Sequence, residues 1–404
     1  MYNTQTAINK ILDKINIEFV CDKANYSGLY VLEVEMNQDE KELIVLKDMG
    51  SFSFGGRVEI KDEPQKGETI HLDHGYAQYF VPEDALDYPI IFWHGMYQSG
   101  KCFETTPDGR DGFWQLFVKR KFPVYIIDQP RRGRAGYTNV AIHDEVYFPT
   151  KEHEGAVWTN FRIGNWVPPK SATVNAGSQF PVTPSAVDQF FRSQTPDTGD
   201  EPITPEHNDF MAAAMEDLLK MTGPSMLFVH SQAGKYGWAS AIKAPELVKG
   251  VVTYEPGHFF FPDDYVLEDL YSPLGAEFNK VMAQYYVPRE EWMQLTKIPI
   301  FVYYGDNINM VPSSEVGDEV WRFSLIRARQ FVDLINENGG NAYLFHLPEC
   351  GIYGNGHIGF AEKNNVEIAE HLQKQLEKNG LLVHDKGYEG PVLRTLKEYT
   401  IPIE

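Results

Sequence analysis

Six apolar runs between residues 89 and 349 constrain this chain more than any other feature. They are PIIFWHG (89–95), FPVYIIDQP (122–130), SMLFVHSQAG (225–234), KGVVTYEPG (249–257), IPIFVYYGD (298–306) and NAYLFHLPE (341–349). Each is nearly continuous rather than alternating, the pattern of a parallel strand buried on both faces. Between several of them lie segments of helical periodicity: GFWQLFVKRK, NDFMAAAMEDLLKM, GKYGWASAIKAPELV and SLIRARQFVDLINENG. Strands alternating with helices make βαβ units, and right-handed crossovers put helices on both faces of the sheet. The expected class is α/β with a mostly parallel central sheet.

Upstream the pattern differs. AINKILDKI within residues 1–19 has helical spacing, whereas LYVLEVEM, ELIVLKD and SFSFGGRVEI repeat with a period near two. N-terminal antiparallel hairpins are expected there, followed by one more strand in HGYAQYFVPE. Two stretches break the later rhythm. Residues 136–206 are rich in Pro, Thr, Ser and Gly, and residues 258–296 begin HFFFPDDY. Each follows the C-terminal end of a strand, the edge where open α/β sheets bind ligands. Both are expected to be lid insertions in a single domain spanning 1–404.

Composition removes several functions. A formal net charge of −21 repels nucleic acid and anionic membranes. Cys21, Cys102 and Cys350 are an odd, sparse set, which argues against a disulfide framework or a cysteine zinc site. No cofactor or metal is expected. No apolar run approaches the ~20 residues a membrane helix needs, and residues 1–19 lack the charged start and apolar core of a signal peptide. The expected location is cytoplasmic.

The third run carries a candidate nucleophile. SMLFVH leads into Ser231, then the small residues Ala233, Gly234 and Gly237 on a helical pattern. A strand that reverses sharply into a helix exposes a serine hydroxyl at the helix N-terminus, where developing negative charge is favoured. The usual glycines two residues either side are replaced by Val229 and Ala233, and a serine also caps helices without any chemistry. The first run ends Trp93-His94-Gly95-Met96, so the backbone N–H groups of Met96 and Gln232 are candidate oxyanion donors. Of the twelve histidines, His357 stands apart: the Gly-rich loop GIYGNGH follows the last strand, where a base completes the chain order Ser, acid, His. His346 and His371 read as structural. Two carboxylates compete as the acid, Asp306 at the end of IPIFVYYGD and Glu255 at the end of GVVTYE; the residues alone do not separate them.

The stretch HGMYQSGKCFETTPDGRDGFWQLFVKRKFPVYIIDQPRRGRAG (94–136) resembles one branch of bacterial and fungal α/β-hydrolases, the esterase 713-like serine esterases. The likeness continues through HSQAG, VVTYEPG, YYGDNI and LPECGIYGNGH, as matched blocks across roughly residues 65–375. ETTPDGR is the most specific of them. The resemblance implies an α/β-hydrolase fold and a carboxylesterase-like reaction through an acyl-enzyme at Ser231. It implies His357 as general base, Met96 and Gln232 as oxyanion donors, and Glu255, after the sixth strand, as the acid. Asp306 then becomes a structural or fallback carboxylate. The type member has adjacent cysteines where this chain has Met96 and Tyr97, so a vicinal disulfide cannot form here.

The expected partner is a small-molecule ester. A homodimer is compatible with the branch, although nothing in the chain requires one. Acyl transfer or carbon–carbon bond hydrolysis would use the same triad, and a silent ligand-binding relative is a third reading, disfavoured because Ser231 and His357 are both present. Tyr97, Trp166 and Phe259 are candidates for an apolar pocket, along with Trp93, Phe103, Phe260 and Phe261, though core packing is the commoner fate of any one aromatic. Arg131, Arg132 and Arg134 form a basic cluster expected to pair with local acids such as Asp108 and Asp111, with a substrate carboxylate as the functional alternative.

Overall fold

All six apolar runs form strands of one eight-stranded sheet. The computed structural model describes residues 43–60, 67–136, 152–167, 171–196 and 201–395. The helix expected within 1–19 and the strand expected in LYVLEVEM lie outside the described residues. Leu46–Glu404 form one compact unit, distinct from Met1–Val45. The main strands of this larger unit are β1 Leu46–Phe54, β2 Gly75–Pro82, β3 Ile90–Trp93, β4 Val124–Asp128, β5 Ser225–His230, β6 Val248–Tyr254, β7 Pro299–Tyr304 and β8 Asn341–His346, in spatial order β1-β2-β4-β3-β5-β6-β7-β8. β1 and β2 pair antiparallel, as do β2 and β4. Every other pairing in this sheet is parallel. Strands β3 to β6 are buried along nearly their whole length, which is why their sequences do not alternate.

The N-terminal region departs from expectation in one respect. ELIVLKD and SFSF read as separate strands, but Leu46–Phe54 is continuous. Gly50 permits this: a Cβ there would lie 2.8 Å from the Tyr79 hydroxyl on β2, so the glycine makes room for a cross-strand ring rather than a turn. The Gly55-Gly56 turn does form, both residues having positive φ, and leads to a small antiparallel pair, Arg57–Ile60 with Thr69–Leu72.

The helices used below are α1 Phe113–Lys119, α2 Glu154–Asn160, α3 Pro184–Ser193, α4 Pro205–Thr222, α5 Ala233–Lys243, α6 Val316–Glu337 and α7 Asn365–Lys378. α4 starts earlier than its apolar pattern because Thr204 caps it, accepting the His207 N–H at 3.3 Å, with Pro205 in the first turn. The excursion at 258–296 is more than a lid. Phe260–Pro262 pairs with Tyr285–Val287, and Phe259, Phe261, Trp292 and Leu295 are fully buried in the main core. Among the described residues no helix is long and apolar enough to cross a membrane.

The ETTPDGR block acts as a clasp. Arg110 makes a two-pronged pair with Asp108, at 2.8 and 3.0 Å. It also donates to the carbonyls of Glu362 and Lys363, both at 3.0 Å, and to Asn365 Oδ1 at 2.9 Å. These acceptors lie at the start of α7, just past His357. Hydrogen bonds to charged groups contribute more than neutral ones, here discounted for partial exposure. Arg110→Ala is expected to lower unfolding free energy by about 1–3 kcal/mol, read as a fall in the urea midpoint at unchanged m-value.

Candidate active site

The turn after β5 is strained. Ser231 has φ of 54°, in the left-handed region that costs a non-glycine residue about 1 kcal/mol or more. Its N–H donates to the Tyr254 carbonyl on β6 at 3.0 Å, and its own carbonyl accepts the Gly234 N–H at 2.9 Å. α5 then starts at Ala233, with Gln232 at its N-cap. The bulk of Val229 is absorbed across the sheet–helix interface: a Cβ on Gly237 would lie 3.1 Å from both Val229 methyl groups. The small residue that the motif lacks on the strand is supplied by the helix facing it.

The turn after β3 lies directly on this elbow. A Cβ on Gly95 would come within 2.9 Å of Ser231 Cβ and of His230 Nδ1, so only glycine allows the approach. His94 is fully buried, and burial pushes its pKa down to about 4. The neutral ring has one N–H, which Nδ1 donates to the Gly95 carbonyl at 2.9 Å, leaving Nε2 to accept the Gln129 N–H at 3.3 Å. Met96 follows and is 38% exposed. Tyr97 has φ of 57° and its carbonyl accepts the Thr195 N–H at 2.8 Å. The strained turn thus forms around Met96 and Tyr97 with no disulfide.

Glu255 is the residue immediately after β6 and also has positive φ, 50°. Its side chain is wholly buried, and Oε2 lies 2.6 Å from His357 Nδ1. The Gly305 N–H donates to Oε1 at 2.7 Å, and the Arg162 guanidinium pairs with the same oxygen. Burial opposes ionisation here, but Arg162 and His357 outweigh it and hold the carboxyl below its ordinary range. His357 is held below its ordinary value because burial outweighs the opposing pull of Glu255. With Nδ1 committed to the carboxylate, Nε2 is the nitrogen left to accept a proton. The His357 N–H donates to the Phe161 carbonyl at 3.0 Å, and Trp321 and Phe161 pack on its ring. His230, next to Ser231, has a ring nitrogen 2.9 Å from the His357 carbonyl, which joins the elbow to the histidine loop.

No family model matches the sequence. Over 318 residues, 75% of this chain and 85% of the relative, it is 30% identical to a protein named Probable secreted lipase phiG from Fungal sp. (strain ATCC 74256). The chain belongs to the α/β-hydrolases. Its esterase- and lipase-like character has structural support: a solved novel bacterial esterase is similar over 84% of this chain and 98% of its own, with TM-score 0.65 and 27% identity. The fungal relative is described as secreted, so it gives no support to the cytoplasmic location expected from the sequence.

Within this α/β-hydrolase the other expected residues fall as follows. Asp306 accepts the N–H groups of Asn307 at 2.6 Å and Gly354 at 2.9 Å, so its carboxylate braces the loop that carries His357. Phe259 sits between Trp238 and Phe331 in the core, which accounts for it without a pocket. Trp166 packs against Trp158 and Phe191. The basic cluster pairs with other acids than those expected: Arg131 with Asp73, Arg132 with Glu201 and Arg134 with Asp128. Asp108 and Asp111 instead take Arg110 and Lys119.

Several site residues gave no sequence signal. Arg162 lies in a stretch that reads as lid, between aromatics that suggest only packing. Its guanidinium holds Glu255, donates from Nε to the Asp306 carbonyl at 2.9 Å and stacks over Trp321 at 4.9 Å. Glu362 accepts the Gly356 N–H at 2.9 Å, and burial pushes its carboxyl up to about 7. A cavity of about 210 Å³, lined in part by Gln98, Phe190, Gln194 and Ile358, adjoins both the Met96 turn and the histidine loop. A larger one of about 590 Å³ is walled by residues such as Phe54, Arg57, His71 and Lys220, none of which belongs to the elbow or the histidine loop.

Removing one partner of a buried ion pair costs about 3–5 kcal/mol, because the other charge stays buried and uncompensated. Arg162→Met is expected to lose stability on that scale at pH 7. Glu255 is depressed in the fold, so its contribution is present above the unfolded carboxyl pKa and is lost as pH falls through the lower folded value. Without Arg162 the folded value rises, and the acid limb of a stability–pH curve from urea unfolding should move to higher pH.

Proposed function

We propose that this protein is a serine carboxylic ester hydrolase in which Ser231 is the nucleophile, His357 the general base and Glu255 the acid that orients it. The observation that carries the reading is the 2.6 Å contact between the buried Glu255 carboxylate and His357 Nδ1, one strand from a serine in a strained turn. In the proposed cycle His357 Nε2 takes the Ser231 proton as Oγ attacks the ester carbonyl. The backbone N–H groups of Met96 and Gln232 receive the oxyanion, the protonated imidazole returns its proton to the leaving alcohol, and water then releases the acid by the same route. Glu255 stabilises the imidazolium without taking its proton. The cavity beside Gln98 and Ile358 is the recess proposed for one arm of the ester. Free thiols at Cys102 and Cys350 are compatible with a cytoplasmic, reducing location.

Ser231→Ala is expected to abolish fluorophosphonate labelling and to lower kcat on p-nitrophenyl butyrate by roughly 10⁴- to 10⁶-fold. An unlabelled wild type, or a Ser231→Ala protein labelled equally, removes the nucleophile assignment. Glu255→Gln should lose roughly 10³- to 10⁴-fold in kcat. Asp306→Asn, which can still accept the Gly354 N–H, should lose less than about tenfold; the reverse ranking makes Asp306 the acid.

The base must be neutral to accept a proton, so activity falls as pH drops through the His357 pKa. Because burial lowers that value from 6.5, the acid limb of kcat/KM against pH should have its midpoint below 6.5. A midpoint above it contradicts a buried His357 as the base.

A further inference from the structure

Three rings enclose the imidazole of His357. The ring of Trp321 lies 4.3 Å from it between centroids, that of His230 4.5 Å and that of Phe161 4.7 Å. Trp321 differs from the other two because it also meets the cation that pairs with Glu255. The Arg162 guanidinium lies over the same indole at 4.9 Å. Arg162 takes Glu255 Oε1, while His357 Nδ1 lies 2.6 Å from Oε2. One side chain, 6% exposed, therefore touches both side chains that hold the acid.

Trp321 is delivered by a segment of its own. It stands in the second turn of α6, after β7, whereas Arg162 follows α2 and His357 lies past β8. Its indole N–H donates at 2.6 Å to the carbonyl of Asn160, two residues before Arg162. Four residues earlier on α6, a Cβ on Gly317 would lie 2.8 Å from Asn160 Oδ1, so the helix seats closely on the end of α2. This seating fixes the indole relative to Arg162 and to Phe161, whose carbonyl accepts the His357 N–H.

The face of an indole attracts cations. Before the reaction that attraction falls on Arg162. When His357 takes the Ser231 proton, a second cation forms against the same ring. Glu255 favours the imidazolium and Arg162 opposes it. The other titratable groups nearby are His230, which burial holds well below its ordinary value, and Glu362, which accepts the Gly356 N–H. The indole face adds to the effect of Glu255.

We propose that Trp321 is a positioning residue for the general base: it fixes the plane of the His357 imidazole against Glu255 and keeps Arg162 on the same carboxylate. The inference rests on the serine-hydrolase reading above. Small misplacements of a reacting group can cost up to about 100-fold in rate. The loss falls on the proton-transfer step rather than on ester binding.

The test compares Trp321→Leu with Trp321→Phe, using kcat, KM and the pH profile of kcat/KM on p-nitrophenyl butyrate. Leucine keeps the site apolar and removes the aromatic face. It is expected to lower kcat roughly 10- to 100-fold and to change KM less than about threefold. The acid limb should move to lower pH by roughly half a unit to one unit, because the charged imidazole loses a favourable contact. Phenylalanine keeps a ring but not the N–H to Asn160. It should unfold at lower urea than wild type, yet stay within about threefold in kcat and keep the wild-type midpoint. Should Trp321→Leu fail to fold, Trp321→Met carries the same expectation, since its unbranched chain adapts to the gap. A folded Leu or Met variant with wild-type kcat and midpoint overturns the proposal. So does a Phe variant as impaired as the Leu variant, because the N–H rather than the ring then carries the effect. Fluorophosphonate labelling of the wild type separates the two claims. If it labels and Trp321→Leu is unaffected, only the positioning role fails; if it does not label, the serine-hydrolase reading fails first.

Discussion

The site is organised around one buried negative charge. Glu255 has no solvent exposure, and an ionised carboxylate in that position costs several kcal/mol unless it is paired and hydrogen-bonded. Arg162, the Gly305 N–H and His357 together meet that demand. Arg162 carries a desolvation cost of its own, offset by the Asp306 carbonyl and by stacking on Trp321. The segment that supplies Arg162 therefore cannot be an optional cover. It must fold across the strand ends for the carboxylate to stay charged, and the same segment supplies the Phe161 carbonyl that holds His357.

Strain is concentrated at the same edge. Ser231 and Glu255 leave neighbouring parallel strands with positive φ. Each is tied to the adjacent strand, Ser231 N–H to the Tyr254 carbonyl and Glu255 N–H to the Tyr303 carbonyl at 2.8 Å. The parallel register delivers these acceptors in step, so an unfavourable backbone conformation at one strand end is held by a residue at the end of the next. The close approaches need glycine at Gly95 beside the elbow and at Gly305, where a Cβ would lie 2.9 Å from a Glu255 oxygen. Neither position would be singled out by a turn pattern alone.

Much of the fold was legible. Apolar runs without alternation could only be strands buried on both faces, and all six took their places in the sheet. Ser231 and His357 could be nominated because elbow and loop are local signals, in small residues and glycines. The choice between Glu255 and Asp306 was not legible from the residues, since both end a strand. Resemblance pointed to Glu255, and the geometry distinguishes them physically: one carboxylate faces the imidazole, while the other binds the loop backbone. Phe259 looked like pocket lining and packs in the core, because exposure depends on what an adjacent strand pair covers. Arg131 and Arg132 found acids from distant segments, Asp73 and Glu201, whereas Arg134 pairs with Asp128 six residues upstream.

The sequence by itself determined the alternation of strand and helix, the sharp turn at Ser231 and the glycine-rich loop around His357. Each is set by residues within a few positions of one another, through periodicity, side-chain size and backbone freedom. Only the tertiary structure decided how the charges are paired. Arg162 and Glu255 are 93 residues apart, and Glu255 and His357 102. No local pattern encodes such a meeting. It follows from the desolvation cost of a buried carboxylate, which is defined only once the chain has closed around it.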